Sequence, residues 1–180
     1  AMAQEKILIT GASGFIGSFI VEEALARGME VWAAVRGTSS KKYLQDERIN
    51  MMELDFSDCR QMENALGGHD FDYVVHAAGV TKALRNETFF HVNTDGTKNL
   101  VKALEATSPS MKRLIFISSL SVLGAVRQHK PYTEICDTDV PRPNTAYAKS
   151  KLAAEKWLAE NAKVPYTILR PTGVYGPREK

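Results

Sequence analysis

A glycine-rich segment, TGASGFIG at positions 10–17, narrows the folds open to this chain more than any other stretch. It follows an apolar run at 6–10 and opens an amphipathic run at 15–27, which Gly28 ends. Glycines in a strand-to-helix turn let the backbone bend tightly and approach a pyrophosphate, and the helix N-terminus favours phosphate. The spacing is GxxGxxG rather than GxGxxG, and a plain glycine-rich turn is the alternative. The predicted dinucleotide contacts are Gly11, Ser13, Gly14, Phe15, Ile16 and Gly17.

The rest of the chain alternates short apolar runs with longer amphipathic ones. This alternation predicts a parallel sheet with helices on both faces, and right-handed crossovers make it a doubly wound α/β fold. One connection, 124–145, is long and rich in proline and charge, so it is either a surface excursion or a substrate-lining loop. The predicted strands are 6–10, 30–35, 49–54, 73–76, 113–118 and 166–170, and the predicted helices are 15–27, 59–66, 87–107 and 146–162.

Composition limits the class of protein. The 180 residues are 44% hydrophobic and 24% charged with a net charge of +2, which suits one globular domain and gives no basic stripe for nucleic acid. No run approaches the about 20 apolar residues that cross a bilayer, and no secretory signal pattern is present, so a cytoplasmic location without membrane contact is expected. Cys59, Cys136 and the four histidines lack metal-ligand spacing, so no metal site is expected.

The end of the second strand bears on which dinucleotide binds. An acid about 20 residues after the glycines would accept from the ribose 2′-hydroxyl of NAD, but here Arg36 is followed by Thr, Ser and Lys residues. A guanidinium and hydroxyl donors suit a 2′-phosphate, so NADP is favoured, with NAD as the alternative. Asp55, after the third strand, could accept from the adenine amino group or cap the following helix.

Two further motifs carry candidate chemistry. Tyr147 and Lys151 lie four residues apart, on one helical face, where an ammonium would lower the phenol pKa from about 10 toward 7, worth about 4 kcal/mol. The result would be a general acid/base, although such pairs are also common as surface neighbours. Ser118 and Ser119 end a strand, where a hydroxyl could hydrogen-bond a substrate carbonyl or only a local turn.

Together TGASGFIG, LDF, HAAG, ISSLSVLG, YAKSK and RPTGVYGP, in this order, resemble the extended short-chain dehydrogenases/reductases of the NAD-dependent epimerase/dehydratase family. The resemblance implies a Rossmann-like NAD(P)-binding domain over 1–180 that lacks the family's C-terminal substrate domain. It makes Ser119 the catalytic serine, with Ser118 second, Tyr147 the proton donor or acceptor, and Lys151 the residue that holds the ribose. Leu123 departs from the tyrosine often found there. Further cofactor contacts implied are Phe56, Ala77, Ala78, Gly79, Asn93, Pro171, Thr172, Gly173 and Val174.

These residues predict an NAD(P)-dependent oxidoreductase that transfers hydride at a carbinol or carbonyl carbon of a small molecule. The NADP preference favours a ketone or aldehyde reductase. The alternatives are a nucleotide-sugar epimerase or dehydratase, and a non-catalytic NADP-binding module. The helices at 87–107 and 146–162 could form a homodimer, although their apolar stripes would also pack on the sheet.

Overall fold

A computed structural model of the chain contains one sheet of six parallel strands in the order β3-β2-β1-β4-β5-β6. The structure describes residues 3–35, 42, 44–124, 143 and 145–172. This order is that of the doubly wound fold, with a reversal between β1 and β4 where ligands bind, so the predicted fold class is confirmed. The strands are β1 Lys6–Thr10, β2 Glu30–Val35, β3 Asn50–Glu53, β4 Tyr73–His76, β5 Arg113–Ile117 and β6 Tyr166–Leu169.

Helical segments connect these strands. The predicted helix over 87–107 is three consecutive segments, because its middle part is a π-helix. Within and just after it, Thr94 Oγ1 donates to the Ser150 carbonyl at 2.8 Å and Thr97 Oγ1 donates to the Asn93 carbonyl at 2.8 Å. The segments are α1 Phe15–Ala26, α2 Cys59–Leu66, α3 Asn86–Phe89, the π-helix Phe90–Asp95, α4 Gly96–Thr107, a 3-10 turn Leu120–Leu123 and α5 Ala146–Asn161.

Apolar side chains cover both faces of the sheet. In β1, Leu8 packs into a cluster with Met62 of α2 and Leu100 of α4, whereas Ile9 packs into a cluster with Val21 of α1. A parallel strand buried on both faces is expected to be continuously apolar, which is why β1 shows no polar alternation. Among the helices that the described residues form, none is long and apolar enough to span a membrane.

Predictions for Arg36, Cys136, Gly173, Val174 and nearly all of the 124–145 connection concern positions outside the described residues.

Candidate active site

The glycine turn between β1 and α1 leaves open space beside it, because side chains would not fit at its glycine positions. Gly11 has φ +65°, and a Cβ there would lie 2.6 Å from the Ala77 carbonyl and the Ala78 nitrogen. A Cβ on Gly17 would lie 2.7 Å from the Gly11 carbonyl carbon, so α1 packs directly on the turn. The Gly14 N–H donates to the Gly11 carbonyl at 3.0 Å and closes the bend. The N-terminus of α1 therefore faces an uncluttered cradle suited to an anion.

Two adjoining hollows meet at this turn, and they share Gly11, Gly14, Ala77 and Gly79. Together they form a groove along the carboxyl ends of the strands, across the reversal in strand order. The first hollow is also lined by Ser13, Ala34, Val35, Leu54, Phe56 and Ala78. The second is also lined by Phe15, Ile16, Gly17, Val80, Thr81, Ile117, Ser118, Ser119, Tyr147, Lys151, Pro171 and Thr172.

Asp55 and Asn93 are the described candidates that line neither hollow. Asp55 Oδ1 accepts from the N–H and hydroxyl of Ser57 at 2.9 and 2.6 Å. The helix-capping role considered for Asp55 belongs instead to Asp58, which accepts from the Gln61 N–H at 3.0 Å and caps α2. Asp55 borders a neighbouring hollow beside Phe56, and its contact with adenine stays a prediction.

Asn93 is 1% exposed and its amide bonds to the protein. Its Oδ1 accepts from the Val80 N–H at 2.8 Å, and its Nδ2 donates to the Val80 carbonyl at 3.0 Å and to Ser150 Oγ at 3.1 Å. Asn93 therefore ties the segment after β4 to α5, beneath the groove, and direct contact with a cofactor stays a prediction.

The start of α5 brings the predicted acid/base pair to the second hollow. Thr145 Oγ1 accepts from the Ala148 N–H at 3.0 Å and caps the helix just before Tyr147. Tyr147 and Lys151 both line the hollow. The Lys151 ammonium donates to the Ile117 carbonyl at 3.3 Å and lies 5.2 Å from the centre of the Phe116 ring.

The two serines at the end of β5 have different surroundings. Ser118 is buried, and its hydroxyl donates to Glu155 Oε2 at 2.5 Å, below the groove. Ser119 caps the 3-10 turn, where its Oγ accepts from the Ser121 N–H at 3.1 Å and lies 2.8 Å from Ser121 Oγ. Ser119 also hydrogen-bonds Tyr147. This geometry favours Ser119 over Ser118 as the serine that meets a substrate.

The expected lowering of the Tyr147 pKa by Lys151 is wrong for this structure. Burial raises the Tyr147 pKa above its usual value, and the hydrogen bond with Ser119 opposes this rise only in part. The Lys151 pKa is itself lowered to about 8 by burial, against the attraction of the Glu155 carboxylate. Lys151 therefore carries only part of its charge above neutral pH, which weakens its effect on the phenol.

Several polar residues near the groove were not found from sequence. A buried imidazole, His76, lies 2.6 Å from Thr10 Oγ1 through Nδ1 and 3.0 Å from Thr97 Oγ1 through Nε2. Glu155 pairs with Arg170 at 2.6 Å. The four-residue spacing of Tyr147, Lys151 and Glu155 on one helix is the signal that could have indicated the buried carboxylate. Within the described ranges, no cluster of His, Cys, Asp and Glu side chains could hold a metal ion.

Comparison with known proteins agrees with this fold. The chain is 33% identical over 188 residues to UDP-glucose 4-epimerase of Vibrio cholerae. This alignment covers 98% of this chain and 54% of that protein. It is 29% identical over 194 residues to cinnamoyl-CoA reductase 1 of Petunia hybrida, with 98% and 56% covered. The structure of the Thermus thermophilus UDP-glucose 4-epimerase in complex with NAD matches with a TM-score of 0.84 and 30% identity, covering 97% of this chain and 57% of that one.

The chain spans about half the length of the curated relatives it matches. Its sequence also fits the family model described as NAD-dependent epimerase/dehydratase, and the match extends from residue 7 to residue 180. Because that match takes in almost every residue of a doubly wound domain, the chain belongs to the NAD-dependent epimerase/dehydratase family.

Proposed function

We propose that the protein containing this chain transfers hydride reversibly between a nicotinamide dinucleotide and a carbinol carbon of a small-molecule substrate. One observation carries the proposal: Ser119, Tyr147 and Lys151 line a hollow that is continuous with the glycine cradle. A binding module without catalysis would need the cradle but not this grouping of a phenol, an ammonium and a hydroxyl.

The described residues fit such a cofactor. The cradle has no side chain at Gly11, where a Cβ would collide with the Ala77 carbonyl, and apolar Leu54 and Phe56 border the adjoining hollow. Lys151 would hold the ribose beside the reacting carbon, and Pro171 and Thr172 would border the nicotinamide. When bound, the cofactor supplies the hydride acceptor or donor.

Proton transfer falls to Tyr147. With a raised pKa, its neutral phenol is the resting form near pH 7, ready to donate to the oxygen of a carbonyl substrate. In the direction of alcohol oxidation, Tyr147 first releases its own proton to solvent, and the Ser119 hydroxyl stabilises the resulting phenolate. The phenolate oxygen then accepts the proton of the alcohol. In the direction of carbonyl reduction, the Ser119 hydroxyl donates instead to the substrate oxygen as negative charge develops there.

For the substrate, we favour a nucleotide sugar and an epimerisation. The two UDP-glucose 4-epimerases named above are 33% and 30% identical to this chain, and one of them was solved with NAD. Epimerisation needs an acid/base that both removes and returns a proton on one substrate, which a single tyrosine can do.

A reductase that consumes NADPH is the second candidate. The segment after β2 reads RGTSSKK and has no acid, which favours a 2′-phosphate and hence NADP. A cinnamoyl-CoA reductase is among the relatives of similar identity. The ketone or aldehyde reductase predicted from sequence therefore stays a candidate, behind the epimerase.

Stoichiometry separates the two candidates. With UDP-glucose and NAD, an epimerase forms the 4-epimer with no net change in absorbance at 340 nm. A reductase oxidises one NADPH for each carbonyl reduced.

In either assay Tyr147→Phe should lower kcat by at least about 100-fold, because it removes the proton donor. Tyr166→Phe, in β6 away from the groove, is the matched control. Unchanged turnover in Tyr147→Phe would refute the mechanism.

Cofactor preference has its own test. Arg36→Asp should weaken NADP binding more than NAD binding, since a carboxylate repels the 2′-phosphate. Lys163→Asp, after the end of α5, makes the same charge change at an exposed position away from the groove. Equal effects of Arg36→Asp on both cofactors would remove the basis for an NADP preference.

A further inference from the structure

Glu155 is a carboxylate buried beneath the groove, 5% exposed, and one helical turn beyond Lys151 on α5. Its Oε2 accepts from Ser118 Oγ at 2.5 Å. Arg170 donates to it through two nitrogens, from Nη2 to Oε1 at 2.6 Å and from Nε to Oε2 at 3.1 Å. Glu155 lines neither hollow, so it acts on the site through other residues.

Both partners of Glu155 lie at the second hollow. Ser118 lines it and precedes Ser119 at the end of β5, and Arg170 precedes the lining residue Pro171 just after β6. The backbone joins the same two strand ends, because the Ser118 N–H donates to the Leu169 carbonyl at 2.7 Å and the Leu120 N–H donates to the Pro171 carbonyl at 3.0 Å. Through Glu155, these strand ends are fixed to the helix that carries Tyr147.

The electrostatics give the carboxylate a second effect. The ionisable groups around Lys151 are Tyr147 and Glu155 on its own helix, His76 from β4, and Arg170, which follows β6. Burial disfavours the Lys151 ammonium, and Glu155 favours it. His76 and Arg170 offer no negative charge, since His76 stays neutral and Arg170 is cationic.

Stability alone is a weak reason for such a pair. Desolvating two charges offsets most of their attraction, and apolar residues of similar size often serve a core equally well. A buried carboxylate is, however, suited to holding several groups at fixed positions and to supporting a neighbouring cation.

We propose that Glu155 is a positioning residue for hydride transfer: it fixes Ser119 and Pro171 relative to Tyr147 through Ser118 and Arg170, one helical turn from Lys151. This inference rests on the proposed function for its effect on turnover, but not for its effect on Lys151.

The test is Glu155→Gln, which keeps the shape of the side chain and removes its charge. The Lys151 pKa, followed by NMR of 13C-labelled lysine and assigned with Lys151→Met, should fall by about one unit. The alkaline limb of the pH–rate profile should move to lower pH with it, and kcat should fall about tenfold from misplacement of the reacting groups. Glu160→Gln, exposed on the same helix, should change none of these three quantities.

A second variant covers the case in which Glu155→Gln fails to fold. Ser118→Ala removes one bond to Glu155 and keeps the charge, so kcat should fall at least about threefold while the pH profile stays in place. An unchanged Lys151 pKa in folded Glu155→Gln would overturn the electrostatic part. Unchanged kcat in Ser118→Ala would overturn the positioning part. If the wild-type protein transfers no hydride, the proposed function fails, and the lysine titration still decides the role of the Glu155 charge.

Discussion

Gly11 and Gly28 both have positive φ, +65° and +76°, but their surroundings differ. A Cβ at Gly28 would meet nothing within 4 Å, whereas one at Gly11 would meet the Ala77 backbone at 2.6 Å. Gly28→Ala should therefore cost only the conformational strain, about 1–2 kcal/mol in urea denaturation. Gly11→Ala should destabilise the protein more, because the segment after β4 must move, and should weaken dinucleotide binding at least about tenfold by calorimetry.

Gly28→Ala is the matched control for Gly11→Ala, since it shares the backbone conformation and lies at the far end of α1. It should leave cofactor affinity unchanged. Equal losses of stability and affinity in the two variants would show that φ alone matters at Gly11 and that its contact with Ala77 does not.

The hydrogen bonds of His76 fix its tautomer. Thr97 Oγ1 donates its proton to the Asn93 carbonyl, so at 3.0 Å from the imidazole it accepts from Nε2–H. Thr10 Oγ1 accepts from the Ala78 N–H at 3.1 Å and donates to the bare Nδ1. Burial lowers the His76 pKa to about 3, with a smaller effect of Lys151. In the folded protein, His76 is therefore the neutral imidazole.

This depressed pKa predicts a loss of stability in acid. Between about pH 6.5 and 3, His76 binds a proton in the unfolded chain but not in the folded one, so its contribution to stability falls as pH is lowered through that window. The slope reaches about 1.4 kcal/mol per pH unit for one proton. His76→Asn cannot titrate, so denaturation at several pH values should give a flatter slope. A wild-type slope in His76→Asn would contradict the prediction.

At the scale of elements, the sequence predicted where most strands and helices begin and end, because apolar periodicity follows burial. Two features could not be predicted in this way. The π-helix contains Asn93 and Thr94, whose side chains bond to Val80 and to α5, and periodicity contains no information on such distant partners. The buried face of α5 carries the charged residues Lys151 and Glu155, so apolar periodicity does not detect it. Only the YxxxK motif indicated that this face contributes to the site.

The link between the π-helix and α5 can be tested through Asn93. Asn93→Asp keeps the shape but removes the donor, which places a carboxylate against the Val80 carbonyl and Ser150 Oγ. We expect a loss of about 2–3 kcal/mol in denaturation and weaker cofactor binding, because the segment that follows Gly79 loses its support. Asn64→Asp, exposed on α2, should change stability by less than about 0.5 kcal/mol. A neutral Asn93→Asp would mean that the two segments hold their positions without this amide.

At the scale of the whole molecule, strand order explains why the candidate residues converge. Parallel strands all end at one edge of the sheet, so Gly11, Ala77, Ser119 and Pro171 meet there although they lie far apart in the chain. That meeting could be predicted from the alternation of strands and helices. The substrate could not be predicted. The chain spans about half the length of its curated relatives, and the groove offers hydroxyls and backbone groups to which many substrates could bind.

The continuity of the two hollows leads to a prediction about the ligand. Because they share Gly11, Gly14, Ala77 and Gly79, one dinucleotide can occupy both hollows. Its two halves are covalently joined, so once one half has bound, binding of the other half is intramolecular and therefore favoured. NAD or NADP should therefore raise the melting temperature more than AMP and nicotinamide mononucleotide added together at the same concentrations. At a hundred times Kd, the dinucleotide should add about 2.7 kcal/mol of stability. Gly11→Ala should abolish the difference. If the two halves stabilise the protein as well as the dinucleotide does, the hollows are separate sites and the proposed cofactor does not span them.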